Sequence, residues 1–321
     1  MVPPGAGTGL PDTGTLGIDL GQMIVAPTVA YKVNRDHAVG ASLLLGFQRL
    51  EARGLGDFQC FVPSTLSDPI NGQSCQQFGI PVNPNGTGKK LTNNGHENSY
   101  GAGLRVGWTG KVHPMVTLGA AYSTKIYMSK FDDYKELLAG NGDFDIPAIA
   151  TAGLAVHPSS QWTVAFDYQR IFYSGIDSVS NEGPVFNPTG GPVGIGAPAP
   201  PCSNCLLGES SGMGFGWDDI NVYKVGVVYE PTSKWVFRAG YHYNDNPIKS
   251  NQLLFNILAP AVVKHHATVG LTYRPTPNSE VNAAYMHAFK NKTKTDQTAF
   301  GIPGEISMYQ NSLDVSYSWK F

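Results

Sequence analysis

The sequence predicts an all-β protein, an antiparallel transmembrane β-barrel. Three observations predict it. The last stretch alternates without a break: Leu313, Val315, Tyr317, Trp319 and Phe321 stand between Asp314, Ser316, Ser318 and Lys320. Period-2 alternation puts one face in an apolar medium and the other in a polar one. Charged residues make up only 14% of the 321, while Gly 38, Tyr 15 and Phe 15 are abundant. A lipid-facing wall with aromatic girdles needs that balance. Finally, short and long connections alternate along the chain, as periplasmic turns and extracellular loops do in a membrane barrel.

Eleven segments read as strands. Leu16–Val33 is the first. His37–Arg53 follows, with Val39, Ala41, Leu43, Leu45 and Phe47 on one face. Ser99–Lys111 alternates through Tyr100, Ala102, Leu104, Val106 and Trp108, and Met115–Ser129 through Val116, Leu118, Ala120 and Tyr122. Asp143–Val156 precedes Gln161–Tyr173, where Trp162, Val164, Phe166 and Tyr168 share a face. Asp218–Tyr229 comes next. Lys234–Asn244 then presents Trp235, Phe237, Ala239, Tyr241 and Tyr243. Val262–Arg274, Ser279–Lys290 and Glu305–Phe321 complete the set.

The short turns are 34–36, 113–114, 157–160, 231–233 and 275–278. The long loops are 54–98, 130–142, 174–217, 245–261 and 291–304. Counting back from a periplasmic Phe321 leaves residue 1 outside the cell. Bacterial single-chain barrels have even strand numbers. At least one strand is therefore expected upstream, with 1–15 as a loop remnant and 1–321 as a partial barrel domain. No basic start or apolar core follows Met1, so no signal peptide is read. Eleven strands alone would leave two open edges in lipid, so these residues by themselves are not expected to close into a heat-modifiable barrel.

Composition excludes several classes. Lys+Arg 22 against Asp+Glu 24 gives net −2, which argues against nucleic-acid binding. The run 251–263 is too short to span a bilayer as a helix. Gly208-Glu-Ser-Ser-Gly212 matches a nucleophile elbow, but it lies in a Gly/Pro/Ser-rich loop without the strand and helix that such an elbow requires. His265 and His266 point to opposite faces of a strand and would not share a metal. No enzyme activity, cofactor or metal site is expected.

Several stretches resemble the long-chain fatty acid transporter (FadL) family of the bacterial outer membrane. They are 16–32, 130–135, 142–147, 214–219, and the most specific pair, Arg238–Ile248 followed by Phe255–Pro260. Together they run along nearly the whole chain in the family's order. The branch looks like the one that includes importers of aromatic hydrocarbons, and these residues do not separate it from importers of fatty acids. The resemblance implies a 14-stranded barrel with an amino-terminal plug and a kinked early strand. Of this, about eleven strands are expected here. It implies passive import of fatty acids or other hydrophobic compounds. General porins and surface receptors or adhesins are the alternatives. Outer-membrane lipid and the barrel assembly machinery, the latter through terminal Phe321, are the expected partners, and the barrel is expected to be monomeric.

The resemblance also implies an apolar capture groove in the loops 54–98 and 130–142. Phe58, Phe61, Phe78 and Ile80 in the first, and Phe131, Tyr134, Leu137 and Leu138 in the second, are the candidates. Residues 133–139 read as a short helix with Tyr134, Leu137 and Leu138 on one face. A loop core built from the same side chains is the plain alternative. Arg105, Lys125, Asp167, Lys224, Arg238, His242 and Asp314 are expected on the lumen face. Lys125, Lys224 or Arg238 would serve a fatty-acid carboxylate, because burying it unpaired costs several kcal/mol. An internal salt-bridge network is the competing role. Leu253, Leu254, Phe255, Ile257 and Leu258 are expected to fold inward as an apolar wall or to cap the mouth. The four cysteines fall two per loop, Cys60 with Cys75 and Cys202 with Cys205, which reads as two local disulfides outside the cell.

Overall fold

A computed structural model describes residues 16–55, 89–183, 185–187, 191–193, 207–296, 298 and 303–320. Fifteen strands occur among them: β1 (Gly17–Val25), β2 (Thr28–Lys32), β3 (His37–Arg53), β4 (Glu97–His113), β5 (Val116–Ser123), β6 (Tyr127–Met128), β7 (Ala148–Ser159), β8 (Trp162–Phe172), β9 (Val185–Asn187), β10 (Gly191–Val193), β11 (Ile220–Thr232), β12 (Trp235–Asn244), β13 (His265–Thr276), β14 (Ser279–Thr295) and β15 (Gly304–Trp319). Thirteen of them form one antiparallel sheet in the order β1-β3-β4-β5-β7-β8-β11-β12-β13-β14-β15, with β2 also on β3 and β6 also on β4. β9 and β10 pair separately in a loop.

This is the expected meander. β1 and β2 are two halves of one expected strand, split at Ala26-Pro27 because proline has no N–H for the ladder. β5 and β6 are likewise two parts of another. All eleven expected strands are present, each paired with its sequence neighbours, and β1 and β15 are the sheet's edges.

Register carries the apolar face from strand to strand. Leu43 stands opposite Leu104, Val106 opposite Tyr122, Phe166 opposite Val225 and Val315 opposite Ala283. On β15, Leu313, Val315, Tyr317 and Trp319 are 61–71% exposed, as lipid-facing side chains must be. Trp162 stacks on Tyr229 at 4.3 Å and Trp235 on Tyr273 at 4.4 Å, all beside short turns, where an interfacial girdle belongs. The opposite face is polar. Arg238 donates to Thr272, Thr272 to Asn282, and Arg274 to Glu280, which ties β12, β13 and β14 together across the inner wall.

Two strand limits differ from expectation by five residues, the others by three or fewer. β14 runs on to Thr295, into the expected loop 291–304, because Lys292 and Lys294 meet Glu305 of β15 and Ile306 packs with Ile248 and Val262. β7 starts at Ala148 rather than Asp143, since residues 143–147 turn inward beneath the loops.

The largest buried apolar cluster lies in the long loops at one end of the sheet. Leu55, Leu91, Phe131, Tyr134, Leu137, Leu138, Leu207, Met213 and Phe255 pack together above Leu50 and Ala52 at the top of β3. Hydrogen bonds lock this cap. Glu97 accepts from the N–H groups of Asp132 and Asp133, and Asn94 donates to Asp133 O. Gly142 has φ +94, and a Cβ there would lie 2.3 Å from Phe131 O. Gly142→Ala is therefore expected to loosen the cap by about 1–3 kcal/mol. Faster protease cleavage within 130–142 would read it out, and an unchanged cleavage rate would contradict it.

Candidate functional site

A cavity of about 390 Å³ lies where the cap meets the inner wall. Strand residues give its floor and sides: Ile18, Leu20 and Gln22 of β1, Leu50 of β3, Ile149 of β7 and Ile171 of β8. These occupy the inner-facing register, since Leu20 pairs with Leu50 and Ile149 with Ile171. The cap supplies the rest, including Leu137, Leu138, Phe144, Met213, Phe215, Trp217, Phe255 and Leu258.

The aromatic part of the wall is held by one buried amide. Asn256 accepts from Trp217 Nε1 at 2.6 Å and donates to Phe215 O and Gln252 O. Tyr173 meets Trp217 edge to face at 5.1 Å. Asn256 is fully buried, so its three bonds stand where unpaired groups would be costly.

Four polar side chains line the cavity: Gln22, Asp145, Tyr173 and Ser178. Ser178 is committed to the Asp143 and Ala139 carbonyls. Burial pushes the Tyr173 phenol up, so it remains a donor. Asp145 is 5% exposed. It accepts from Met128 N at 2.7 Å and pairs with Lys125 Nζ at 2.8 Å. Burial, and then the charge of Asp145, raises neighbouring Asp143. Among the described residues the cavity thus carries one compensated carboxylate and no cation in its lining.

The structure divides the expected site residues. Phe131 and Tyr134 are wholly buried in the cap core, the loop-core role, whereas Leu137 and Leu138 reach the cavity. Residues 133–139 are not one helix. A 3-10 turn at Asp132–Tyr134 is followed by separate turns, because Tyr134 O accepts from both Leu137 N and Leu138 N. Phe255 and Leu258 fold inward onto the cavity, Leu253 joins the cluster around Ile248, and Ile257 stays exposed.

Lys125 is engaged by Asp145 and does not line the cavity. Arg105 bonds Ser123, Lys224 bonds Gln169 at 3.3 Å, and Arg238 bonds Thr272. His242 stacks on His266 at 4.5 Å. These four are on the inner wall away from the cavity. Phe58, Phe61, Phe78, Ile80, all four cysteines and Phe321 lie outside the described residues.

The family model described as outer membrane protein transport protein (OMPP1/FadL/TodX) matches residues 13–320. The chain belongs to this family. No curated relative matches its sequence. Among solved structures, the toluene transporter TbuX of Ralstonia pickettii has TM-score 0.56 and 20% identity, over 94% of this chain and 68% of that one. The toluene transporter TodX of P. putida has TM-score 0.58 and 20% identity, over 97% and 73%. A FadL homologue of Pseudomonas aeruginosa has TM-score 0.57 and 16% identity, over 94% and 68%. These likenesses establish the fold. This FadL/TodX family member is an outer-membrane β-barrel transport protein, and its family is one of channels for hydrophobic compounds.

Sequence reasoning passed over Gln22, Asp145, Phe215 and Trp217. All four stood within stretches read for their resemblance, 16–32, 142–147 and 214–219, but given no role. Asp145 carried no local signal, because its partner Lys125 belongs to a different loop.

Proposed function

We propose that this FadL/TodX family member is a passive channel for hydrophobic compounds and that the cavity under the cap is where the incoming molecule binds. The observation that carries this is the cavity itself, about 390 Å³ with a lining that is apolar apart from four side chains. Ligand sites are concave, mostly apolar and provided with few polar groups. Aromatic hydrocarbons and fatty-acid chains both suit such walls, and the toluene transporters TbuX and TodX share the fold. The residues act by position alone. Leu137, Leu138, Phe255 and Leu258 receive the apolar body, Trp217 is held by Asn256 against it, and the polar inner wall continues below.

Uptake of labelled toluene and labelled oleate by cells carrying the protein in the outer membrane tests this. Leu138→Asp buries a charge in the wall and is expected to cut uptake at least about tenfold. Uptake of sugars at the same rate as toluene would instead indicate a general porin.

A further inference from the structure

The polar groups around the cavity have no obvious use in holding a pure hydrocarbon. Asp145 lines the cavity; its carboxylate accepts from Met128 N, pairs with Lys125 Nζ and shares a side-chain hydrogen bond with Asp143. A carboxylate has about four acceptor positions, so capacity is left over. The Tyr173 hydroxyl and the Gln22 amide line the same space. Opposite Gln22 in register is Gln48, on the same inner face and two residues from Leu50 of the lining. Gln48 is fully buried, and neither its Nε2 nor its Oε1 has a hydrogen-bond partner among the described residues.

A buried amide left unpaired is costly, and each such group calls for an explanation. Gln22 and Asp145 line an otherwise largely apolar cavity, and Gln48 stands opposite Gln22 in register. An anionic ligand would meet Asp145 with no cation among the described lining residues to receive it. A hydroxyl, by contrast, donates to a carboxylate and accepts from an amide or phenol at once.

We infer that the cavity selects uncharged amphiphiles carrying a hydroxyl, such as aromatic alcohols or phenols, over hydrocarbons and carboxylates of the same size. The hydroxyl is taken by Asp145 and Gln22, with Gln48 behind them, and the ring lies against Phe255, Leu258 and Trp217. This rests on the cavity being the channel's ligand site.

The test is a titration of the purified, detergent-solubilised full-length protein with toluene, benzyl alcohol and benzoate at pH 7, read by calorimetry. Benzyl alcohol is expected to bind more tightly than toluene, with benzoate weakest. Gln22→Leu is expected to reduce the alcohol-to-toluene preference about tenfold, as loss of one or two hydrogen bonds would. Gln48→Leu, close in volume, is expected to reduce it in the same direction. Toluene binding as tightly as benzyl alcohol, or a preference untouched by both substitutions, overturns the inference and leaves the channel reading standing. No binding of any of the three overturns both.

Discussion

Asp145→Ala is expected to turn the cavity from one that rejects carboxylates into one that accepts them. The substitution removes the only charged residue among the described lining residues and frees the Lys125 ammonium 2.8 Å behind it. Benzoate and fatty-acid affinity should rise at least about tenfold, since a charge-assisted bond is worth about 1.5–3 kcal/mol. The same change should destabilise the cap. Breaking a buried pair leaves the partner uncompensated, typically at about 3–5 kcal/mol. The lower end applies here because Lys125 is 27% exposed. Met128 N–H also loses its acceptor. Asp145→Asn separates the two effects, because its amide oxygen can still serve Met128. Equal benzoate binding by wild type and Asp145→Ala would show that Lys125 does not reach the cavity.

Phe131→Ala should open the cap. Phe131 is wholly buried among Leu55, Leu91, Leu137 and Leu207, and its N–H bonds Gly142 O at 2.9 Å. Truncating a fully buried Phe costs about 3–5 kcal/mol. That is at least about a hundredfold more frequent opening. Protease cleavage within 130–142 should accelerate accordingly, and toluene binding should weaken because Leu137 and Leu138 lose their support. Phe131 meets the sheet only through the cluster on Leu50 and Ala52 at the top of β3, so membrane insertion should be unchanged. Cleavage within twofold of wild type would mean that the remaining core holds the loop without the ring.

The strands were legible because a strand facing lipid repeats its character every two residues, whatever its partner. Tyr100, Leu104 and Trp108 declare a face without reference to the rest of the chain. The break at Pro27 inside the expected strand Leu16–Val33 was not read from the sequence. Cap residues obey no such rule. Leu91, Met213 and Phe255 come from three loops, and nothing local says they meet. Phe131, Tyr134, Leu137 and Leu138 all join the cap core, and Leu137 and Leu138 also line the cavity. Lys125 was legible as an inward cation but not as a spent one, since Asp145 reaches it from a loop beyond the intervening strand. The inner wall's Arg238 stands opposite Gly270 in register and reaches diagonally to Thr272.

A buried apolar cluster above the sheet, rather than within it, has a consequence for how this molecule changes over time. The membrane band and the cap are stabilised by different solvents, lipid for one and exclusion of water for the other. They can open separately, as distinct cooperative units with their own free energies. Hydrogen exchange should find slow strand amides beneath a layer of faster ones. Sequence drift in the loops then taxes only the cap's own stability, so ligand preference can be rewritten at Leu137, Met213 or Phe255 while the barrel goes on inserting as before.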